Sequence, residues 1–206
     1  MIENIREFWY LYILLFVLII ITAFVWKKAA SAASMHSKEV NAQIAKAKHN
    51  KELREAYGNL TAEIIANAPA DALFEGVALC LEAKCQKAED SMIFYSKLNE
   101  AQRAVYAFYY LVSDAKEQNL SAFFKASKRP LTSDAANASK EILSDEVYGI
   151  IKDMFDRYDE DNETASVIPE AITKLNADFA EITANLDFYA LGGAFIKKNS
   201  ESFINA

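Results

Sequence analysis

Carboxylates are the side chains of this sequence that could do chemistry. Both of its histidines, His36 and His49, precede residue 58, where the C-terminal domain is predicted to begin. Catalysis by a histidine base or nucleophile is therefore excluded for residues 58–206. A pair of carboxylates can act as acid and base without histidine, but burial beside apolar walls is needed to shift the pKa of one of them. The acids here concentrate on one helix face and one loop. We therefore expect a protein that is not an enzyme.

The acidic residues lie opposite the apolar face of a predicted helix and in the loop after it. Apolar side chains recur at helical spacing from Val147 to Tyr158, which predicts one buried face. The opposite face and the loop carry the six carboxylates that we predict to bind a partner: Glu146, Asp153, Asp156, Glu160, Asp161 and Glu163. The alternative is that these acids only solvate a surface helix.

Metal and cofactor sites are not indicated. Carboxylates occupy positions 1, 3, 5 and 12 of a calcium-loop window that starts at Asp159, but Thr164 stands where the sharp turn needs glycine. Cys80 and Cys85 are five residues apart on a predicted helix, so they cannot form a disulfide bond, and they offer too few ligands for zinc. We expect no metal and no cofactor.

The longest apolar run, from Phe8 to Trp26, is the element around which the rest of the chain is arranged. Its nineteen uncharged or weakly polar residues can span a bilayer as one helix. Aromatic rings mark both ends and two lysines stop the run, as at a membrane interface. The predicted interface residues are Trp9, Tyr10, Tyr12, Trp26, Lys27 and Lys28. A cleavable signal peptide is the competing interpretation, which the acidic N-terminal flank and the length of the run disfavour.

The distribution of cations predicts the orientation of this anchor. Only Arg6 precedes the run, whereas residues 27–54 hold seven lysines and arginines against two acids. Because such cations stay on the cytoplasmic side, we predict a single-pass inner (cytoplasmic) membrane protein with a cytoplasmic C-terminal domain. The predicted organisation is a short tail (1–7), a transmembrane anchor (8–26), a basic helical juxtamembrane stalk (27–57) and an acidic domain (58–206).

Charge also restricts the partners of the domain. Residues 55–206 hold twenty-five acids against fourteen lysines and arginines, a net charge of −11. Direct binding to nucleic acid is disfavoured, because duplex affinity depends on cations that meet phosphates. The expected partners are the lipid bilayer, for the anchor and stalk, and a protein, for which a basic protein is one candidate. Tyrosine-rich and phenylalanine-rich segments also leave room for a homo-oligomer.

The domain is predicted to be a compact bundle of helices, so the fold class is all-α. No stretch alternates as a strand, and the chain has only five glycines and three prolines. Ala104–Val112 is uncharged on every side, which predicts a central buried helix; cofactor stacking by Tyr106, Tyr109 or Tyr110 is the alternative. Predicted helix starts are at Asp71, at Asn99, at Ser133 or Asp134, at Ser144 and at Pro169. The last helix is expected to run to Tyr189 before Gly192 and Gly193 interrupt it.

Residues across the domain resemble a bacterial helical family that is named for a DNA-mimic protein and most of whose members have no assigned function. The likeness covers residues 60–204. It is carried by Leu98, by Gln102 to Tyr106, by Phe123 and Phe124, by Leu175, Asp178 and Phe179, by Leu186 to Tyr189, and by Phe195, Ile196 and Asn199.

This resemblance implies an all-helical acidic protein that presents carboxylates to another protein. Successive helical turns space acids by roughly 5 Å along the axis, near the spacing of phosphates along a strand. We therefore expect a membrane-anchored, non-catalytic interaction protein whose acidic domain binds a protein partner by presenting DNA-like carboxylates. The alternative function is an envelope accessory or immunity-like protein whose domain lies outside the cytoplasm.

Overall fold

The computed structural model describes residues 18, 26, 38, 40–159, 161–162 and 165–204. The chain divides into two compact units, Met1–His49 and Asn50–Ala206. In the first unit, the described residues 18, 26, 38 and 40–49 are helical. The predicted anchor at residues 8–26 lies outside the described residues except for Leu18 and Trp26, and it therefore stays a prediction. Over the residues that can be described, no helix combines the length and the apolar character needed to cross a membrane.

Every regular element of the second unit is helical over its described residues, which confirms the all-α prediction. Residues 50–57 are helical. They are followed by α1 (Ala62–Asn67), α2 (Ala70–Lys87), α3 (Ser91–Lys97), α4 (Glu100–Glu117), α5 (Leu120–Ala126), α6 (Leu131–Ile142), α7 (Asp145–Tyr158), α8 (Pro169–Thr183), α9 (Phe188–Lys198) and a short 3₁₀ turn, Ser200–Ser202.

Helix α4 is the centre of the second unit. It packs against α2, α5, α6 and α9. Val105, Phe108 and Leu111 are fully buried, and the ring of Phe108 lies 5.8 Å from that of Phe74 on α2. The cap predicted at Asn99 is present and forms a full capping box, since Asn99 accepts from the backbone N–H of Gln102 and its own N–H donates to the Gln102 side chain. The start and the burial of this helix thus follow its sequence pattern.

The C-terminal helix differs from the prediction, because α8 and α9 are two helices and not one. The chain leaves α8 after Thr183, and Asp187 then starts α9 by accepting hydrogen bonds from the backbone N–H groups of Tyr189 and Ala190. Gly192 and Gly193 do not interrupt a helix but lie buried inside α9. A Cβ atom at Gly193 would meet the backbone of Ala70, so the glycine permits a close approach of α9 to α2.

Helix α6 begins earlier than predicted, at Leu131. Ser133 therefore lies in its first turn, where its hydroxyl donates to the carbonyl of Pro130. Asp134 does not cap the helix, because its carboxylate accepts a 2.7 Å hydrogen bond from the hydroxyl of Tyr95 and pairs with Arg103. A tertiary contact has replaced the local capping role.

The compact unit also starts earlier than the boundary drawn from composition. Leu53 and Tyr57 are 8% and 9% exposed and belong to the hydrophobic core. The sequence places both at the end of a polar, cation-rich stretch, and two apolar residues four apart give too weak a pattern to mark a buried helix face.

Candidate functional site

The outer face of α7 carries exposed carboxylates, and the inner face of the same helix is buried in the core. Val147, Ile151 and Met154 are buried on the inner side, and Ser144 caps the first turn by accepting from the backbone N–H of Val147. Glu146 and Asp153 are exposed on the outer side. They are seven positions apart, which corresponds to about two helical turns or roughly 10.5 Å along the axis. We call these two residues the acidic face of α7.

Gly149 lies between these two carboxylates along the helix. It is exposed, and a Cβ atom built on it would have no neighbouring atom within 4 Å. The surface between Glu146 and Asp153 is therefore open to the backbone, and a partner can come closer there than a side chain would allow.

The remaining predicted carboxylates are placed differently. Asp156 is half-buried and forms an ion pair with Lys152 one turn earlier. Asp161 is exposed but pairs with Arg129 at 3.2 Å. Glu160 and Glu163 lie outside the described residues. The structure thus separates the six predicted acids into two that face solvent on α7, two that are engaged by neighbouring cations, and two that it does not describe.

At the end of α7 the buried Asp159 pairs with Arg129, whose side chain is 46% exposed, and the sequence pattern does not indicate this ion pair. Asp159 is 8% exposed and accepts hydrogen bonds of 2.8 and 2.5 Å from Nε and Nη2 of Arg129. These bonds hold the pKa of the Asp159 carboxyl below its usual range, although partial burial acts in the opposite direction. The two residues are thirty positions apart, and locally Asp159 is only the residue that follows Tyr158, where the apolar spacing of α7 ends.

This ion pair borders a surface pocket of about 280 Å³ between α5, α6 and α7. The guanidinium carbon of Arg129 lies 5.4 Å from the centre of the Phe155 ring, which forms part of the pocket wall. The single guanidinium of Arg129 pairs with both Asp159 and Asp161 and offsets one of their two charges, and Lys125 and Lys128 add further cations to the pocket lining. Asp159 and Asp161, two of the four carboxylates in the calcium-loop window, therefore act here as partners of an arginine. Within the described residues, no group of three or more His, Cys, Asp or Glu side chains is arranged to hold a metal ion.

The tyrosines of α4 form part of an aromatic network. The rings of Tyr106 and Tyr110 lie 4.9 Å apart, and Tyr109 contacts Phe74 and Tyr189 at 5.9 and 6.3 Å. Burial is the main cause that raises the pKa of all three α4 hydroxyls, and the Tyr110 hydroxyl donates a 2.8 Å hydrogen bond to Glu82. These contacts support core packing over cofactor stacking.

The predicted membrane-interface residues are almost entirely outside the described part of the chain. Trp9, Tyr10, Tyr12, Lys27 and Lys28 lie there. Trp26 is described, and it is helical and 75% exposed.

Comparison with known protein families gives a match within the second unit. A model of the DMP19-like protein family matches residues 96–203, which is more than half of the chain. The chain belongs to the DMP19-like family. Neither a curated protein nor a solved structure gives a significant match. The resemblance inferred from the sequence is thereby confirmed, over a segment that begins at residue 96 and not at residue 60.

The DMP19-like segment runs from the end of α3 through α9 and includes the acidic face of α7. Several of the residues that carry the resemblance form its core: Phe123 is fully buried, and the rings of Phe179 and Phe188 stack with their centres 6.0 Å apart. Gln102, in the first turn of α4, donates a hydrogen bond to the carbonyl of Ser202 and so links the start of α4 to the C-terminal 3₁₀ turn. These residues of the DMP19-like segment therefore contribute to the core and the caps of the fold.

Proposed function

We propose that this protein is a non-catalytic interaction protein whose acidic helical domain binds a basic protein in the manner of a DNA mimic. The observation that carries the proposal is an acidic DMP19-like domain with exposed carboxylates on a rigid helix. The family is named for a DNA-mimic protein, and residues 55–206 carry twenty-five acids against fourteen lysines and arginines. A basic DNA-binding surface is the complementary partner.

Glu146 and Asp153 are the residues to which we assign the first contacts. Both project from a helix whose opposite face is buried in the core, so little backbone entropy is lost when they meet a cation. The open backbone at Gly149 lets lysine or arginine side chains reach between them. Since both carboxylates are solvated, they suit charge complementarity better than acid–base catalysis, which needs a buried group.

We further propose that residues 8–26 anchor the protein in the inner membrane and that the acidic domain faces the cytoplasm. The support is the uncharged run and the seven lysines and arginines that follow it in residues 27–54. Protease added to cells with a permeabilised outer membrane should leave the C-terminal domain intact. Digestion would indicate the opposite orientation, with the domain outside the cytoplasm, and would favour an envelope partner.

The binding proposal is tested by capture from a lysate with the full chain in detergent. We expect the captured protein to be basic, to be released by added duplex DNA, and to be lost as salt rises, because screening weakens contacts between exposed charges. Its identity is obtained by mass spectrometry, and its affinity is then measured with the purified partner.

Charge reversal supplies the matched comparison. The Glu146→Lys/Asp153→Lys variant should bind the purified partner at least about tenfold more weakly, the equivalent of about 1.4 kcal/mol. The control variant, Glu89→Lys/Glu201→Lys, changes the net charge equally at two exposed positions outside α7 and should bind as the wild type does. If both variants bound the partner equally weakly, the loss of affinity would reflect the net charge of the protein and not these two positions. Capture that duplex DNA does not reverse would contradict mimicry.

A further inference from the structure

A basic pocket lies between residues 50–58 and the C-terminal half of α2, within the second unit. Its volume is about 480 Å³, and its cationic lining consists of Lys51, Arg54, Lys84 and Lys87. Glu55 is the single acid among its lining residues. Glu55 pairs with Lys51 at 3.7 Å, but both side chains are about 70% exposed, so the pair neutralises the pocket only weakly.

Cys80 forms the inner wall of this basic pocket and reports on its electrostatics. The thiol donates a hydrogen bond of 3.6 Å to the backbone carbonyl of Arg54, which joins the two walls. Burial raises the pKa of the Cys80 thiol, while the positive charges of Lys84 and Arg54 act in the opposite direction. Two cations from opposite walls therefore act on the same point inside the pocket.

The charge of this pocket contrasts with that of the domain around it. Residues 50–206 hold twenty-six acids against sixteen lysines and arginines, yet four cations and one acid line the pocket. We propose that the basic pocket binds a phosphate group, supplied either by an anionic lipid headgroup or by a soluble phosphate compound. Lysine is a common point-charge ligand of phosphate, and arginine adds directional donors.

Both sources of phosphate are compatible with the position of the pocket in the chain. Lys51 and Arg54 end the cation-rich stretch of residues 27–54, which continues from the predicted membrane anchor. A lipid headgroup would thus bind the end of a segment already attracted to an anionic surface. A soluble phosphate compound would bind equally well without the anchor, and the proposal does not depend on the acidic face of α7.

The alkylation rate of Cys80 by uncharged iodoacetamide measures occupancy of the pocket. A bound phosphate covers the thiol and offsets the cations that favour its reactive thiolate, so both effects slow the reaction. The full chain is used in non-ionic detergent, and peptide mapping distinguishes Cys80 from the buried Cys85. The additions are inorganic phosphate, compared with chloride at equal ionic strength, and mixed micelles of phosphatidylglycerol, compared with phosphatidylcholine.

We expect at least one of the two phosphate sources to slow alkylation about fivefold or more at saturation, because the bound group both covers the thiol and lowers the fraction of thiolate. The Lys84→Gln/Lys87→Gln variant should lose this protection, while the charge-matched Lys140→Gln/Lys174→Gln variant should keep it. Protection by inorganic phosphate identifies a soluble ligand, and protection by phosphatidylglycerol alone identifies a headgroup. Absence of protection by either, or equal protection in the Lys84/Lys87 variant, would overturn the proposal.

Discussion

Asp159 is an acidic residue whose side chain stabilises the fold and does not contribute to the acidic surface. In sequence it belongs to the same acidic run as Asp156 and Asp161, yet its side chain is only 7% exposed. Arg129 approaches from the segment before α6 and satisfies both carboxylate oxygens. The contribution of Asp159 is therefore to join the end of α7 to the start of α6, and not to attract a partner.

The Asp159→Asn substitution should lower stability near neutral pH and have little effect in acid. The folded protein lowers the pKa of Asp159, so its ionised form contributes stability above the unfolded value of about 3.9, and this contribution is lost as pH falls through the folded value. Urea denaturation at a series of pH values from about 7 to 3 should show the two proteins converging at the acid end. Asp153→Asn, at an exposed position, is the control and should follow the wild type throughout. A constant difference between wild type and Asp159→Asn at every pH would contradict a charge-dependent role.

The sequence predicts some of these residues and not others for a physical reason. Apolar spacing on α7 is local, so it correctly places Val147 inside and Glu146 and Asp153 outside. The partner of Asp159 is thirty residues away, and nothing within one helix indicates it. Asp134, one of the two predicted caps of α6, contacts Tyr95 and Arg103 instead, and these partners are distant in sequence and give no local signal.

At the scale of elements, two glycines with the same chemistry occupy opposite environments. Gly149 is exposed on α7 with open space around its Cβ position, whereas Gly193 faces the backbone of Ala70 where α9 crosses α2. No packing contact within the protein requires the first glycine, which raises the entropy of the unfolded chain, whereas the second permits two helices to pack closely.

Alanine substitution should therefore change stability with opposite signs at the two positions. We expect Gly149→Ala to increase the free energy of unfolding by about 0.5–1 kcal/mol, since alanine restricts the unfolded chain and favours the helix. Gly193→Ala should decrease it by about 1–3 kcal/mol, because the added methyl group forces α9 away from α2. Urea denaturation with a common m-value measures both. Stabilisation by both substitutions would mean that helix propensity outweighs the close contact at Gly193.

The helices themselves were largely predictable, and the exceptions have tertiary causes. The start of α4 at Asn99 and that of α7 at Ser144 follow from capping chemistry within a few residues. The division between α8 and α9 is less visible, because the apolar spacing continues through Leu186 to Tyr189 while the Asp187 cap starts a new helix. Two adjacent glycines suggest a break when the sequence is considered alone, and only the contact with Ala70 explains why they are helical.

The acidic face of α7 and the basic pocket lie on different segments of the second unit. The acidic face of α7 lies inside the DMP19-like segment, and the basic pocket lies before that segment, on residues 50–87. The family pattern accounts for the core that supports α7. It does not account for residues 50–95, which complete the second unit through α1, α2 and α3. The match to residues 96–203 therefore covers less than the folding unit.

The structure predicts where the independent folding unit begins. A fragment of residues 50–206 should unfold in one cooperative transition, because it contains the whole second unit, including Leu53 and Tyr57. A fragment of residues 58–206, which starts at the boundary drawn from composition, lacks these two core side chains. We expect it to be less stable by about 3 kcal/mol or more, since removal of a large buried side chain alone costs about 2–5 kcal/mol.

Urea denaturation of both fragments, followed by circular dichroism, measures this difference. The Leu53→Ala variant of the 50–206 fragment separates packing from chain length, because it removes a buried side chain while the helix stays in place; its stability should lie between those of the two fragments. If the 58–206 fragment were as stable as the 50–206 fragment, residues 50–57 would be an extension of the stalk and the composition boundary would be the physical one. A large loss would instead make the segment that lines the basic pocket part of the same cooperative unit as the acidic face of α7.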